Sequence, residues 1–372
     1  MPDHRPSCLV FDLYLDSLGG GEAVVLACAE ELRSTHCVVV AGPTLPPPGT
    51  IVGRGWPQPR DLRRLTAGRF TAASARFDLV VYLANGPPLP SLARRSIGIL
   101  QFPMRALSPN PLRRAVERSG LRRYEWVVYS DFVAKWARSR YRIDPIVLHP
   151  PVRLGPPNAA KDGDRSRVIL SIGRFFGVQH SKRQDALVAA FRQIPPEERR
   201  GWELVLVGGV GSSPADRLYL DRLRSAAAGL PVRFAVDVDR PALEAELARA
   251  SIYWHATGFE RRPEAPEHAE HFGISVVEAM SWGAVPLVHD DGGPPEVVAD
   301  TGLTWRSLGE LVAQTTTLIR DPLRRQALAA RARERSQAYG EPVFRSRFRQ
   351  LVDLGSGTAG RGRRRRPPSA SG

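Results

Sequence analysis

The sequence predicts an α/β protein built from two Rossmann-like halves that face each other across a cleft. The chain has 372 residues, more than one hydrophobic core usually serves. Short apolar runs of strand length alternate with amphipathic helical stretches along most of it, which is the pattern of parallel sheets wrapped by helices. The alternation breaks at one polar segment, from Pro150 to Arg165, where proline, glycine and charge replace apolar periodicity.

The first half, residues 1–155, opens with a buried strand at Cys8 to Leu13. Ser17-Leu-Gly-Gly-Gly21 follows, and then a helical apolar pattern through Val24, Val25, Ala27, Cys28 and Leu32. Further strands are expected at Cys37 to Ala41, Leu79 to Leu83, Ile97 to Gln101, Trp126 to Ser130 and Ile146 to Leu148. A linker is expected at 156–166. The second half, 167–338, repeats the alternation with strands at Val168 to Ile172, Glu203 to Val207, Val232 to Val236, Ile252 to His255 and Val285 to His289. Helices near Pro322 to Ala338 and Val343 to Leu354 close the ordered chain, with 339–354 expected to return to the first half. Residues 355–372 read as a disordered basic tail. No repeat of solenoid length is present.

Composition narrows the function classes. Apolar residues make up 42% of the chain, enough for a packed core. Cys8, Cys28 and Cys37 have no metal-ligand spacing, and their odd number argues against a disulfide framework, so a cytoplasmic setting is expected. No apolar run approaches the roughly 20 residues that span a bilayer, and Met1 to Pro6 does not lead into a cleavable signal. The net charge is +15, of which Arg361 and Arg363 to Arg366 supply five charges in the tail; the remainder is still basic. Such a field attracts nucleotide sugars, phosphorylated acceptors, acidic headgroups or nucleic acid alike. Peripheral association with an acidic membrane is therefore open, whereas no base-reading motif points to specific nucleic-acid binding. Three lysines stand against fifty arginines, so a single arginine is a poor marker of function.

The strongest constellation is Glu270-His-Phe-Gly-Ile-Ser-Val-Val-Glu278-Ala-Met, leading into Gly283 and the strand from Val285. Gly273 permits close backbone approach, and a helix starting beside it offers unsatisfied N–H groups and a positive dipole end to a phosphate or sugar oxygen. Glu270 precedes that helix and Glu278 lies one to two turns inside it, so the two carboxylates can contact different parts of one ligand. Carboxylates accept hydrogen bonds from vicinal hydroxyls, as on a sugar or ribose. The competing reading is a solvated helix bearing two surface glutamates.

This run resembles the retaining family 4 glycosyltransferases of the GT-B fold, whose signature is two glutamates separated by seven residues around a Phe-Gly pair. The resemblance implies that Glu270 contacts the transferred sugar and Glu278 the nucleotide ribose, with Phe272, Gly273 and Ile274 among the donor-binding residues. A second match is Ser171-Ile-Gly-Arg174-Phe-Phe-Gly followed by Ser181-Lys182-Arg-Gln-Asp-Ala-Leu; it implies that Arg174 and Lys182 lie against the donor diphosphate. Two fixed cations there would neutralise charge on the departing nucleoside diphosphate, work a divalent metal could otherwise perform. No metal and no cofactor are therefore expected.

In the first half, Gly19-Gly20-Gly21-Glu22 is similar to the family's amino-terminal glycine loop, which implies donor binding at Gly20 and Gly21; a tight turn alone would also require glycine. It lacks the full G-x-G-x-x-G spacing of a dinucleotide site. Gln101 stands before Phe-Pro where related enzymes often carry histidine. A glutamine can orient a sugar or acceptor but cannot shuttle a proton, so Gln101 is read as a sugar or acceptor contact or as a structural turn residue. His255, at a strand end, either shapes the sugar pocket or is a buried structural histidine. Asp237-Val-Asp239 and Asp162-Gly-Asp164 look like metal motifs but lack convergent oxygen ligands. The Phe259 to Ala269 insertion, with Arg261 and Arg262, reads as a mobile loop, or as a lid or acceptor contact.

The expectation is a retaining hexosyltransferase that moves a sugar from a nucleotide-sugar donor to an unidentified hydroxyl acceptor. Similarity to mannosyltransferases of lipid-linked oligosaccharide assembly suggests GDP-mannose and leaves a UDP-sugar open. Two alternatives stand beside it: a sugar-nucleotide-binding protein with weak or no catalysis, and a GT-B sugar-nucleotide epimerase.

Overall fold

The computed structural model describes residues 5–17, 19–53, 56–84, 88–102, 107–157, 166–177, 181–211 and 213–358. Most of the expected linker, including Asp162-Gly-Asp164, lies outside the described residues, as do Pro103 and the arginines of the tail.

Two parallel sheets form the frame. The first contains β1 (Ser7–Asp12), β2 (Cys37–Gly42), β3 (Leu62–Arg64), β4 (Leu79–Ala84), β5 (Arg95–Leu100), β6 (Glu125–Val128) and β7 (Ile146–Val147), in the order β3-β2-β1-β4-β5-β6-β7. The second contains β8 (Val168–Ile172), β9 (Glu203–Gly208), β10 (Val232–Val236), β11 (Ile252–His255), β12 (Val285–His289) and β13 (Leu303–Trp305), in the order β10-β9-β8-β11-β12-β13. The architecture is the GT-B arrangement that the resemblance implied. Continuous apolar runs such as Leu-Val-Val-Tyr-Leu-Ala of β4, buried at every position, suit a parallel strand whose two faces are both covered by helices.

In each sheet the chain builds outward on one side and then returns to the other side of its first strand. The reversals fall between β1 and β4 and between β8 and β11. Open α/β sheets leave a crevice outside the carboxyl ends of the strands at such reversals, and ligands gather there. Asp12 ends β1 and His255 ends β11, while Arg174 lies two residues beyond β8.

The halves touch through specific bonds. Glu296 accepts the backbone N–H groups of Asp131 (2.9 Å) and Phe132 (2.6 Å), and Ser130 Oγ donates to the carbonyl of His271 at 2.6 Å. The helix Glu341–Thr358 lies against the helix Gly20–Leu32 of the first half, where Arg349 pairs with buried Glu31 at 2.5 Å.

Candidate active site

Beyond β8 the backbone turns at Gly173, where a Cβ would stand 2.5 Å from Cγ of Lys182. Glycine there lets the lysine stem lie on the main chain and reach across the strand ends. Lys182 Nζ meets Glu270 Oε2 at 2.5 Å. His255 Nε2 lies 3.2 Å from the same oxygen and 3.1 Å from Thr257 Oγ1. Two of the sequence-predicted residues thus converge on one carboxylate oxygen of a third.

The Glu270 segment is held by its backbone. Gly293 N–H donates to the Glu270 carbonyl at 2.8 Å, and a Cβ on Gly292, whose φ is +81°, would overlap that carbonyl. Burial pushes the Glu270 carboxyl up, but the Lys182 ammonium and the His255 hydrogen bond hold it well below the usual carboxylate range. Burial lowers the His255 pKa against the pull of Glu270, so the imidazole is neutral at pH 7. Its Nδ1 has no hydrogen-bond partner among the described residues. The network therefore assigns the proton to Nε2, which donates to Glu270.

Gly273 (φ +98°) starts the helix Ile274–Ser281 from a left-handed conformation, and no side chain caps that end. Its first N–H groups are available to an anion. One turn in, Glu278 is buried, and Arg240 Nη1 donates to its Oε1 at 2.5 Å while Arg240 Nε donates to Glu244 at 2.7 Å. Burial raises the Glu278 pKa against the opposing pull of Arg240. The two glutamates are consequently unlike: Glu270 is held ionised by a cation and a histidine, whereas among the described residues Glu278 takes a side-chain hydrogen bond from Arg240 alone.

The first half supplies the facing wall. A Cβ on Gly20 would lie 3.0 Å from Ile274 Cδ1 across the cleft, and one on Gly21 would overlap the Gln101 side-chain oxygen. A side chain at either position would have to displace the tip of its neighbour, Ile274 or Gln101. Glu22 accepts Gly19 N–H at 2.6 Å and fixes the loop. Beneath it, burial and the neighbouring Glu22 carboxyl push the Asp12 pKa up to about 8. A cavity of about 220 Å³ between the walls is bordered by Gly20, Trp56, Arg153, Arg240, Ile274 and Glu278.

Some predicted residues stand apart. Arg174 is exposed with its guanidinium 4.5 Å from the Phe176 ring centre, and it forms no ion pair among the described residues. Phe272 is buried, stacked on His149 of the first half (5.4 Å) and edge-on to Tyr339 (5.5 Å); packing occupies its ring and leaves its backbone for a ligand. The aspartates of Asp237-Val-Asp239 serve the main chain, Asp237 accepting Val210 N–H (3.1 Å) and Asp239 capping a helix through Ala242 N–H (3.0 Å). Arg261 forks onto Asp291 and ties the 259–269 segment down. Among the described residues no three His, Cys, Asp or Glu side chains converge in a way that could hold a metal ion.

Sequence reasoning missed Arg240, Asp12 and Glu296. Arg240 is one arginine among fifty and carried no signal. Asp12 could have been found as the acid ending the first strand, where a polar residue closes an apolar run. Glu296 acts on the opposite half, a relationship no local pattern encodes.

Comparison with known proteins agrees with this fold. Residues 158–335 match the model of the glycosyl transferases group 1 family. A GDP-Man:Man(3)GlcNAc(2)-PP-Dol alpha-1,2-mannosyltransferase of Dictyostelium discoideum is 26% identical over 229 residues, covering 58% of this chain and 43% of that protein. A D-inositol 3-phosphate glycosyltransferase of Kineococcus radiotolerans is 31% identical over 202 residues, covering 50% of this chain and 43% of that protein. The matched region thus spans less than half the length of these relatives. Anabaena HepE, in a crystal structure with UDP and glucose, superposes with a TM-score of 0.69 at 17% identity, covering 94% of this chain and 100% of that one. Sucrose-phosphate synthase from Thermosynechococcus elongatus gives 0.70 at 17% identity, covering 95% and 100%. At these identities the structural likeness shows the fold.

Proposed function

We propose, from the premise that residues 158–335 are a glycosyl transferases group 1 domain, that the protein is a glycosyltransferase acting with retention on a nucleotide-sugar donor. The observation that carries this reading is the convergence of Lys182 and His255 on Glu270 at the β8/β11 reversal, four residues before Ile274, which approaches Gly20 of the other half.

In this reading Glu270 accepts hydroxyl hydrogen bonds from the transferred sugar and Glu278 those of the ribose. The helix end at Gly273, Phe272 and Ile274 receives phosphate or sugar oxygens through its backbone. Lys182 and Arg174 neutralise the diphosphate as the bond from the anomeric carbon to the phosphate oxygen breaks, so transfer needs no divalent metal. The acceptor hydroxyl adds to the same face, and its proton passes to the departing phosphate. Neutral Gln101 is consistent with that route, since it can orient an acceptor without taking a proton. The names of the relatives favour GDP-mannose, and a UDP-sugar is the second choice. The acceptor is a hydroxyl compound, lipid-linked by analogy with those names, reached by peripheral association with an acidic cytoplasmic membrane surface. No helix among the described residues is long and apolar enough to cross a membrane.

A panel of nucleotide sugars tested by calorimetry, followed by mass spectrometry with hydroxyl acceptors in the presence of EDTA, tests the proposal. GDP-mannose or a UDP-sugar should bind and a metal-independent transfer product should form. Absence of nucleotide-sugar binding would overturn the reading. Binding without transfer would favour the alternative of a sugar-nucleotide-binding protein, and an isomerised donor without acceptor would favour an epimerase.

A further inference from the structure

The outer edge of β2 is open where the strand begins. β3 pairs with β2 only from Val40 onward, and no isolated bridge among the described residues covers Cys37 to Val39. Cys37 N–H donates to the Pro6 carbonyl on the β1 side at 2.9 Å. Successive residues of a strand direct their peptide groups to opposite neighbours. The N–H and C=O of Val38 therefore point the other way, off the sheet.

The chain leading into β3 passes this edge without closing it. It reads Trp-Pro-Gln-Pro-Arg from Trp56 to Arg60, and Pro57 and Pro59 have no N–H to offer the Val38 carbonyl. A cavity of about 380 Å³ remains between the strand edge and these prolines. It wraps the edge: Val38 packs with the cluster that includes the helix Gly20–Leu32, whereas Val39 and Phe77 belong to the cluster on the opposite face of the sheet. Its rim is basic, with four arginines against two acids. Glu30 is paired with Arg33, and Asp61 with Arg63 at 2.6 Å. Arg5 donates to the Arg33 carbonyl at 2.9 Å, and exposed Arg60 forms no ion pair among the described residues.

We infer that an extended peptide segment bearing an acidic residue docks here by adding to the edge of β2. A residue opposite Val38 supplies the acceptor and the donor that its N–H and C=O need. The flanking side chains of such a segment fall alternately on the two faces of the sheet, which is the shape of a cavity that reaches Val38 on one face and Val39 and Phe77 on the other. A carboxylate on the segment meets the arginine excess of the rim. A compact anion would engage the arginines but leave the Val38 peptide groups unpaired, and a neutral strand would leave the excess charge unmatched. The docking is independent of the proposed sugar transfer.

The test is calorimetric titration of the full-length protein with the capped pentapeptide acetyl-Val-Asp-Val-Asp-Val-amide, paired with hydrogen exchange. Binding is expected, with the Val38 amide newly protected. Arg60→Gln, at an exposed site, should weaken it by about fivefold, the upper worth of an exposed ion pair. Asparagine in place of both aspartates of the peptide should weaken it by at least that factor. N-methylation of the three central peptide amides should abolish binding, because the strand can then no longer donate to Val38. No binding of the acidic peptide would overturn the inference. So would equal binding of the N-methylated peptide, which would make the cavity an anion pocket without strand pairing. Undiminished binding in both the Arg60→Gln and the asparagine titrations would remove the charge complementarity and overturn it as well. Protection of Val38 that rises with protein concentration in the absence of peptide would make a second copy of the chain the occupant, against the inference.

Discussion

Lys182 and Glu270 form an ion pair of 2.5 Å at the carboxyl edge of the second sheet, with His255 on the same carboxylate oxygen. Without a ligand the carboxylate holds the ammonium in place; a bound diphosphate would compete for it. In the proposed reaction the lysine is thereby preorganised where negative charge grows during transfer.

Lys182→Ala should lower kcat by on the order of 10²–10³, the usual cost of one preorganised electrostatic group, with little change in secondary structure by circular dichroism. The same variant removes the main cation opposing the burial of Glu270. Because the Glu270 pKa is depressed in the fold, its stabilising contribution is complete above its unfolded value of about 4.3 and is lost as pH falls through the lower folded value. The variant should flatten that acid limb of the melting curve. Wild-type kcat in a folded Lys182→Ala protein would remove the lysine from the mechanism.

Arg240 is predicted to position Glu278 for the nucleoside. Arg240→Met strands a buried carboxylate, so nucleoside diphosphate affinity should fall about 10- to 100-fold, as expected for a hydrogen bond to a charged group. Glu278→Gln on that background, which removes the stranded charge, should restore thermal stability but not affinity. A loss of stability with affinity intact would make the pair purely structural.

Gly21→Ala isolates the approach of Gln101 to the glycine loop. Alanine is intrinsically better than glycine in a helix by about 1 kcal/mol, so the substitution should stabilise unless the Gln101 contact matters. The overlap at the Gln101 oxygen predicts loss of activity instead, with partial recovery in Gly21→Ala/Gln101→Ala. Additive effects in this double-mutant cycle would show that the two residues do not act together.

Asp12 gives a pH dependence of opposite sign to that of Glu270. Its pKa of about 8, raised by burial and by Glu22, means that the folded state binds a proton the unfolded state has released. The corresponding stability is complete below about pH 3.9 and is lost at up to about 1.4 kcal/mol per unit as pH rises toward 8. Asp12→Asn imitates the protonated acid, so it should melt higher than wild type at pH 8 and lose most of that advantage at pH 5. Parallel melting curves for the two proteins would refute the raised pKa of Asp12.

Strands with continuous apolar runs were legible because burial on both faces leaves no polar residue to blur the pattern. β3, with the sequence Leu-Arg-Arg, and three-residue β13 escaped notice because edge strands this short carry no periodicity. Glu270 and Lys182 were legible as motif residues, although their direct pairing, across 88 positions, was not. Arg240 stayed hidden because compositional bias erased the contrast between a functional arginine and a solvent-facing one. Phe272 illustrates a different limit: its place beside Gly273 marked it for ligand contact, but only the fold reveals that its ring fills the space beneath His149 and Tyr339.

Glu296 sets the geometry between the halves. It accepts N–H groups at the start of the helix Asp131–Tyr141 in the other half, where a carboxylate also meets the positive end of the helix dipole. Ser130, which caps the same helix through Val133 N–H at 3.3 Å, donates to the carbonyl of His271, the residue following Glu270. The contacts that join the halves therefore also hold the backbone beside Glu270, so in the proposed function cleft geometry and the alignment of that carboxylate are coupled. Glu296→Ala should cost about 0.5–2 kcal/mol, the range for a lost helix cap, and should widen the distribution of interdomain distances in small-angle scattering. It should also raise the donor KM and lower kcat together, because both walls lose their alignment. Ser130→Ala should reproduce the kinetic change with a smaller loss of stability. If Glu296→Ala lowers the melting temperature while scattering and both kinetic constants stay at wild-type values, the cap serves the helix alone and closure is set elsewhere.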